Sequence, residues 1–377
     1  MDGDLGLAGG GQDSRGDRPR SGQARARSGG GRDGGPTVPR AVPRSYYGQP
    51  ILNKPTWTWE IPVYFFVGGM AGASAPLALV ASLQGNRGLA RAASAAALGG
   101  AAISPVLLIS DLGRPERFLN MLRVFKPTSP MSVGSWILAS FGPAVALGAG
   151  RELLGILPRL GRAGQVAGAA LGPGLSTYTA ALLANTAVPA WHEARRELPF
   201  VFAGSSLASA SGAALLLTAP VDAAIPRRMG VAGAVLALGA TATMEHRLGE
   251  LGAPYHEGGA AAGVGRAAKT LMATGGLILA ARARRGRRRP VLGALALLGG
   301  SGLERWAIFK AGVASAADPA ATVGPQRAHR NAEERAVARE RRSAASAQPA
   351  AAAQPAGPAQ PAGSSQPAGP VQPARPD

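Results

Sequence analysis

From about residue 60 to residue 311 the chain alternates long apolar runs with short breaks rich in Arg, Gly and Pro. The runs lack the charge density and the clear amphipathic period of a soluble domain of this size. A helix needs about 20 apolar residues to cross a hydrocarbon core. Eight segments meet that length, at about 61–83, 89–110, 132–150, 164–184, 197–220, 229–248, 263–282 and 290–311. The pattern therefore predicts an all-α integral membrane protein with eight transmembrane helices. Small residues recur in the spans, as in Gly68-Gly69-Met70-Ala71-Gly72 and Ala208-Ser209-Ala210-Ser211-Gly212. They let backbones approach closely in lipid, where hydrophobicity cannot drive helix pairing. A high overall content of Ala and Gly accounts for part of this.

Composition changes the picture at the ends. The mean hydropathy is only +0.07 because two unlike materials are averaged. Residues 1–44 are a Gly/Arg-rich tail, and residues 331–377 a tail that becomes rich in Ala, Gln and Pro. Neither carries the apolar area needed to offset chain entropy, so both are expected to be disordered. The net charge of +19 admits nucleic acid as a partner. The arginines, however, lie in the tails and between apolar runs, where they anchor helices at lipid headgroups, so no nucleic acid is expected. Loop arginines and the basic N-terminal tail point to opposite orientations in the membrane, and the sidedness stays open. With no cysteine in 377 residues, thiolate-held iron–sulfur clusters and disulfides are excluded. Of the four histidines, only His246 falls within a predicted span, so this chain is expected to bind no haem.

An even number of spans places both tails on one side, here termed the terminal face. Tyr64 then starts the first span, Asp111 ends the second and Ser135 starts the third. Tyr178 lies late in the fourth, and Glu245, His246, Lys269, Glu304 and Arg305 are also assigned to the terminal-face half. The other face offers mainly Asp222 and loop arginines. Charge inside a membrane is costly and marks either a functional cavity or an ion pair, such as Glu304 with Lys269. Trp57, Trp59 and Trp136 fit an interfacial belt. Between the second and third spans lies a block dense in charge, Pro and Gly. It runs from Ser110-Asp111-Leu112-Gly113-Arg114-Pro115-Glu116-Arg117-Phe118 to Lys126-Pro127-Thr128-Ser129-Pro130. An ordered block at a membrane surface predicts docking or active-site work.

These residues carry a resemblance. Tyr46-Tyr47-Gly48 and Trp57-Thr58-Trp59-Glu60-Ile61-Pro62-Val63-Tyr64 resemble the first-helix entry of the NrfD/PsrC family, the polysulfide-reductase type of quinone-reactive membrane anchor subunit. Asp111-Leu112-Gly113-Arg114-Pro115 with Phe118, and Ser129-Pro130-Met131-Ser132 with Gly134-Ser135-Trp136, are similar to its signature between helices 2 and 3. Tyr178-Thr179-Ala180-Ala181 with Pro189 and Trp191 resembles its fourth helix and exit.

The resemblance implies two four-helix bundles, over 45–190 and 191–330. A quinone site is implied in the first, beside a docking loop at 111–131. It implies transient menaquinone or ubiquinone, a ferredoxin-like iron–sulfur subunit and a molybdopterin catalytic subunit as partners, and a multi-pass place in the plasma membrane. The chain is then not catalytic alone. Tyr64 and Tyr178, with Ser135, are expected to contact the quinone, and Glu60 and Asp111 to relay protons. Asp111 has a second reading, as a cap of the loop paired with Arg114 or Arg117. Arg114, Glu116, Arg117 and Phe118 are expected to dock the partner. Two rival functions remain: a secondary transporter or ion-translocating protein, and a non-catalytic tether for a peripheral enzyme.

Overall fold

The computed structural model describes residues 52–53, 55–114, 116–256, 259–281 and 286–347. The expectations for residues 1–51, which include Tyr46-Tyr47-Gly48, for Pro115 and for 348–377 lie outside the described residues. Among the described residues every regular element is a helix. In chain order these are α1 (Glu60–Leu83), α2 (Arg87–Asp111), the short α3 (Glu116–Met121), α4 (Pro130–Ala149), α5 (Pro158–Ala184), the short α6 (Pro189–Glu193) and α7 (Leu198–Leu217). Then follow α8 (Ala224–Leu248), the short α9 (Ala253–His256), α10 (Gly259–Ala280), α11 (Arg288–Ala317) and α12 (Pro319–Ala347). The last of these continues across the tail boundary expected at residue 331.

Each apolar segment read from the sequence falls on one of these helices. Among the described residues six helices are long and apolar enough to cross a membrane: α1, α2, α4 with the π-helical turn Gly150–Leu154 that extends it, α5, α7 and α11. Helices α8 and α10 have 25 and 22 residues, enough length at about 1.5 Å per residue, but a more polar composition. The helix starts follow local chemistry. Asn86 caps α2 by accepting from the Leu89 amide at 3.0 Å. Ser129 caps α4 by accepting from the Ser132 amide, with Pro130 at the first helical position, where its missing N–H costs nothing.

Helix α1 packs on α2 and α5, and α4 on α5. Helix α7 packs on α8 and α11, and α10 on α8 and α11. Helix α1 also meets α7, and one continuous apolar core runs from Phe65 through Phe202 to Phe309. Small residues set the closest crossings. A Cβ on Gly72 would strike the Gly172 carbonyl, and one on Gly172 would strike that of Gly72. One turn away, Ser176 Oγ donates to the Gly69 carbonyl at 3.1 Å. In lipid such contact stands in for the hydrophobic drive that water would supply.

Candidate functional site

The terminal-face ends of α1, α2, α4 and α5 form one cluster. Tyr64, in the second turn of α1, is 1% exposed and hydrogen-bonds through its hydroxyl to that of Tyr178 on α5. The half-buried Tyr178 ring lies over α4 at Gly134, and a side chain at 134 would collide with it. Both tyrosines therefore owe their positions to glycine: Gly134 for the ring of one, and Gly72 with Gly172 for the approach of the helices that carry them.

One turn before Tyr64, on the same face of α1, stands Glu60. Thr58 joins it to α2. Its amide and hydroxyl both donate to Asp111 Oδ1, each at 3.1 Å, and the hydroxyl also contacts Glu60 Oε2. Asp111 thus locks the end of α2 to the entry of α1. Neither Arg114 nor Arg117 forms an ion pair with it, so the expected loop-capping contact is replaced by one to Thr58. An aspartate at the last residue of a helix meets whatever chain enters beside it, and here that is the approach to α1. Ser135 was expected to face a ligand. It is buried and donates to the Met131 carbonyl at 2.9 Å, one turn back. The same hydroxyl lies 3.6 Å from Met121 Sδ.

Ser104 was not read from the sequence. Its hydroxyl on α2 is buried and has no hydrogen-bond partner. It lies 3.4 Å from where a Cβ on Gly68 would stand, and the Tyr64 ring lies 3.5 Å from the same point. A serine in an Ala/Gly-rich span reads as a packing residue, and no local signal separates Ser104 from Ser94 and Ser110 on the same helix. Two polarising tyrosines and an orphaned donor beside one of them suit a ligand that brings hydrogen-bond acceptors into an apolar site.

Outside the cluster, the segment 111–131 is held by its own side chains. Ser132 Oγ accepts from the Lys126 amide and donates to the Val124 carbonyl, both at 3.0 Å. Phe125 meets Trp136 edge to face at 6.2 Å. Arg114, Glu116 and Arg117 are exposed, Phe118 is half-buried, and Leu119, Val124 and Phe125 present apolar surface to the outside. Trp59 and Trp136 are exposed, as an interfacial belt requires. Trp57 departs from that expectation: it stacks on the buried Trp191 at 5.8 Å. Trp191 in turn donates to the Ile308 carbonyl at 2.8 Å.

The second half differs from expectation in its charges. Lys269 pairs with Glu245, at 2.9 and 3.0 Å, and not with Glu304. Helix α11 extends to Ala317, which leaves Glu304 and Arg305 near its middle and not late in a span. Arg305 is fully buried, donates to the Phe202 carbonyl and Ser206 Oγ, and lies 3.6 Å over the Phe202 ring. Arg247 binds both oxygens of Glu197, at 2.5 and 2.7 Å. Glu197 precedes α7, and hydrogen bonding from Arg247 holds its carboxyl below the usual carboxylate range. The opposite face also carries more than Asp222. Glu152 Oε1 accepts from Ser82 Oγ and Gln165 Nε2, both at 2.9 Å, and from Arg151. This network binds the far ends of α1 and α5 to the π-helical turn.

No curated protein matches the chain. Residues 50–229 match the family model described as polysulphide reductase, NrfD. The match runs from the entry of α1 to the start of α8 and includes the cluster of Glu60, Tyr64, Asp111 and Tyr178. That cluster, on a helical, membrane-type framework, lies within the part of the chain that matches the NrfD family, as the sequence resemblance implied.

Proposed function

We propose that the protein is the quinone-reactive membrane anchor of a respiratory oxidoreductase complex in the plasma membrane. It passes electrons between a menaquinone or ubiquinone pool and an iron–sulfur subunit docked on segment 111–131, with the catalytic centre in a molybdopterin subunit. In this reading α8 and α10 also span the membrane, giving two bundles, α1, α2, α4, α5 and α7, α8, α10, α11. The more polar composition of α8 and α10 reflects charges near the ends of α8, Arg266 and Lys269 within α10, and the Glu245–Lys269 pair between the two helices.

The observation that carries the reading is the hydroxyl pair of Tyr64 and Tyr178, one turn beneath the Glu60–Thr58–Asp111 rim. A quinone, when bound, takes up two electrons and two protons at its carbonyl oxygens. Tyr64, Tyr178 and Ser104 would hold those oxygens by donating hydrogen bonds. The surrounding core, including Phe65, Leu138 and Leu175, excludes water from them. Glu60 and Asp111 stand between the tyrosines and the aqueous face, where a carboxyl exchanges protons with solvent. Arg114, Arg117 and the neighbouring exposed apolar side chains offer a mixed basic and apolar surface to the partner.

The test compares two activities of membranes carrying Tyr178→Phe. Quinone-linked turnover should fall by about one to two orders of magnitude, the loss that follows removal of one polarising or proton-donating group. Dye-linked activity of the soluble subunits should stay unchanged. Equal loss of both would mean that Tyr178 supports assembly only, and loss of neither would move the quinone elsewhere.

A further inference from the structure

The mid-helix acid of α11 has no role in the site above. Glu304 is 9% exposed, and its Oε2 is buried without a hydrogen-bond partner. Ser205 of α7 and Thr241 of α8 flank the carboxyl. It lines a cavity between α8, α10 and α11, together with Thr241, Glu245, Tyr255 and Lys269. The space there open to the centre of a water molecule is about 30 Å³. One water needs roughly 10–15 Å³ on that measure, so the cavity holds about two waters. A small organic ligand occupies a pocket roughly ten times larger.

The charges around the acid are few and come from each helix that faces it. Arg305 on its own helix is turned towards α7, with Nε and Nη1 unpartnered. Glu245 of α8 and Lys269 of α10 neutralise one another, and their side chains are 19% and 34% exposed. Tyr255 of α9 donates its proton to the Ala190 carbonyl at 3.1 Å. The Glu245–Lys269 pair is therefore the exposed side of the cavity, and Glu304 is its buried end. An ionised carboxylate accepts hydrogen bonds at both oxygens, yet Oε2 has no partner in hydrogen-bonding geometry, although the Ser205 and Thr241 hydroxyls flank the carboxyl. Two remedies exist at such a site: water in the cavity, or a proton on the oxygen.

We infer that Glu304 is a proton-exchange site of the second half of the chain, reached from the terminal face through the water-holding cavity behind the Glu245–Lys269 pair. The step is a plain transfer: a hydronium ion arriving by the cavity gives its proton to the carboxylate, leaving water and a neutral carboxylic acid, and the reverse returns it. The inference does not depend on quinone binding by Tyr64 and Tyr178.

Infrared titration of the full chain in lipid bilayers tests it. A protonated-carboxyl C=O band should disappear as pH rises and shift within minutes of transfer to deuterated water. The band should be missing from Glu304→Gln. Glu304→Asp keeps an acid if the amide does not fold, and it should retain a titrating band at a changed position. The inference is overturned if the parent chain shows no titrating band. It is equally overturned if the band persists unchanged in either variant, or if it keeps its position for hours in deuterated water, since the acid would then be sealed from the cavity.

Discussion

The ring of Tyr178 occupies the space that a side chain at Gly134 would fill. Helix α4 thus places the tyrosine of α5 without bonding to it, and the hydroxyl is left to meet Tyr64. Gly134→Ala should break that relationship. Alanine gains up to about 1 kcal/mol in helix propensity but forces the ring aside at a cost of about 1–3 kcal/mol. The expected result is a small net loss of thermal stability with a loss of quinone-linked turnover close to that of Tyr178→Phe. Wild-type turnover in Gly134→Ala membranes would show that the ring position does not matter.

Tyr64→Phe removes the buried partner and leaves the Tyr178 hydroxyl alone. A smaller fall in quinone-linked turnover is expected than for Tyr178→Phe, about three- to tenfold, because the half-buried hydroxyl survives. Steady-state assays on the two variants, normalised to dye-linked activity, give the ordering directly.

The basic face of segment 111–131 should hold the iron–sulfur subunit. Arg114 and Arg117 are both exposed and reach out from the loop. Reversing them together, Arg114→Glu with Arg117→Glu, should release the partner from washed membranes while this chain stays inserted. Copurification at the wild-type ratio would rule the two arginines out of the interface.

Arg247 fastens the end of α8 to the residue that precedes α7. Because its hydrogen bonds depress the Glu197 carboxyl, their stabilisation is present above the ordinary carboxylate pKa of about 4.3 and is lost as pH falls through the lowered value. Arg247→Ala should cost about 1–3 kcal/mol at neutral pH. It should also flatten the acid limb of a thermal-stability profile measured between neutral and strongly acidic pH. A variant with the wild-type profile would assign the pair no net contribution.

Hydropathy located the long apolar helices, six of which are long and apolar enough to cross a membrane among the described residues, because a lipid-facing helix is apolar over about 20 residues whatever its neighbours are. The ordered block before α4 was also legible, since proline restricts the chain locally, whereas the Ser129 cap emerged only from the structure. The resemblance carried by Tyr64, Asp111, Gly134 and Tyr178 pointed to the family whose model matches residues 50–229. Tertiary structure decided what those residues touch. An Ala- and Gly-rich helix offers close-packing positions on every face, so its rotation about its own axis is not written in its pattern. That rotation joined Tyr64 to Tyr178, left Ser104 without a partner and gave Asp111 to Thr58. It paired Lys269 with Glu245 and left Glu304 outside that pair, on the wall of the same cavity. Each of these contacts joins residues far apart in the chain, and only the packing of whole helices brings them within hydrogen-bonding reach.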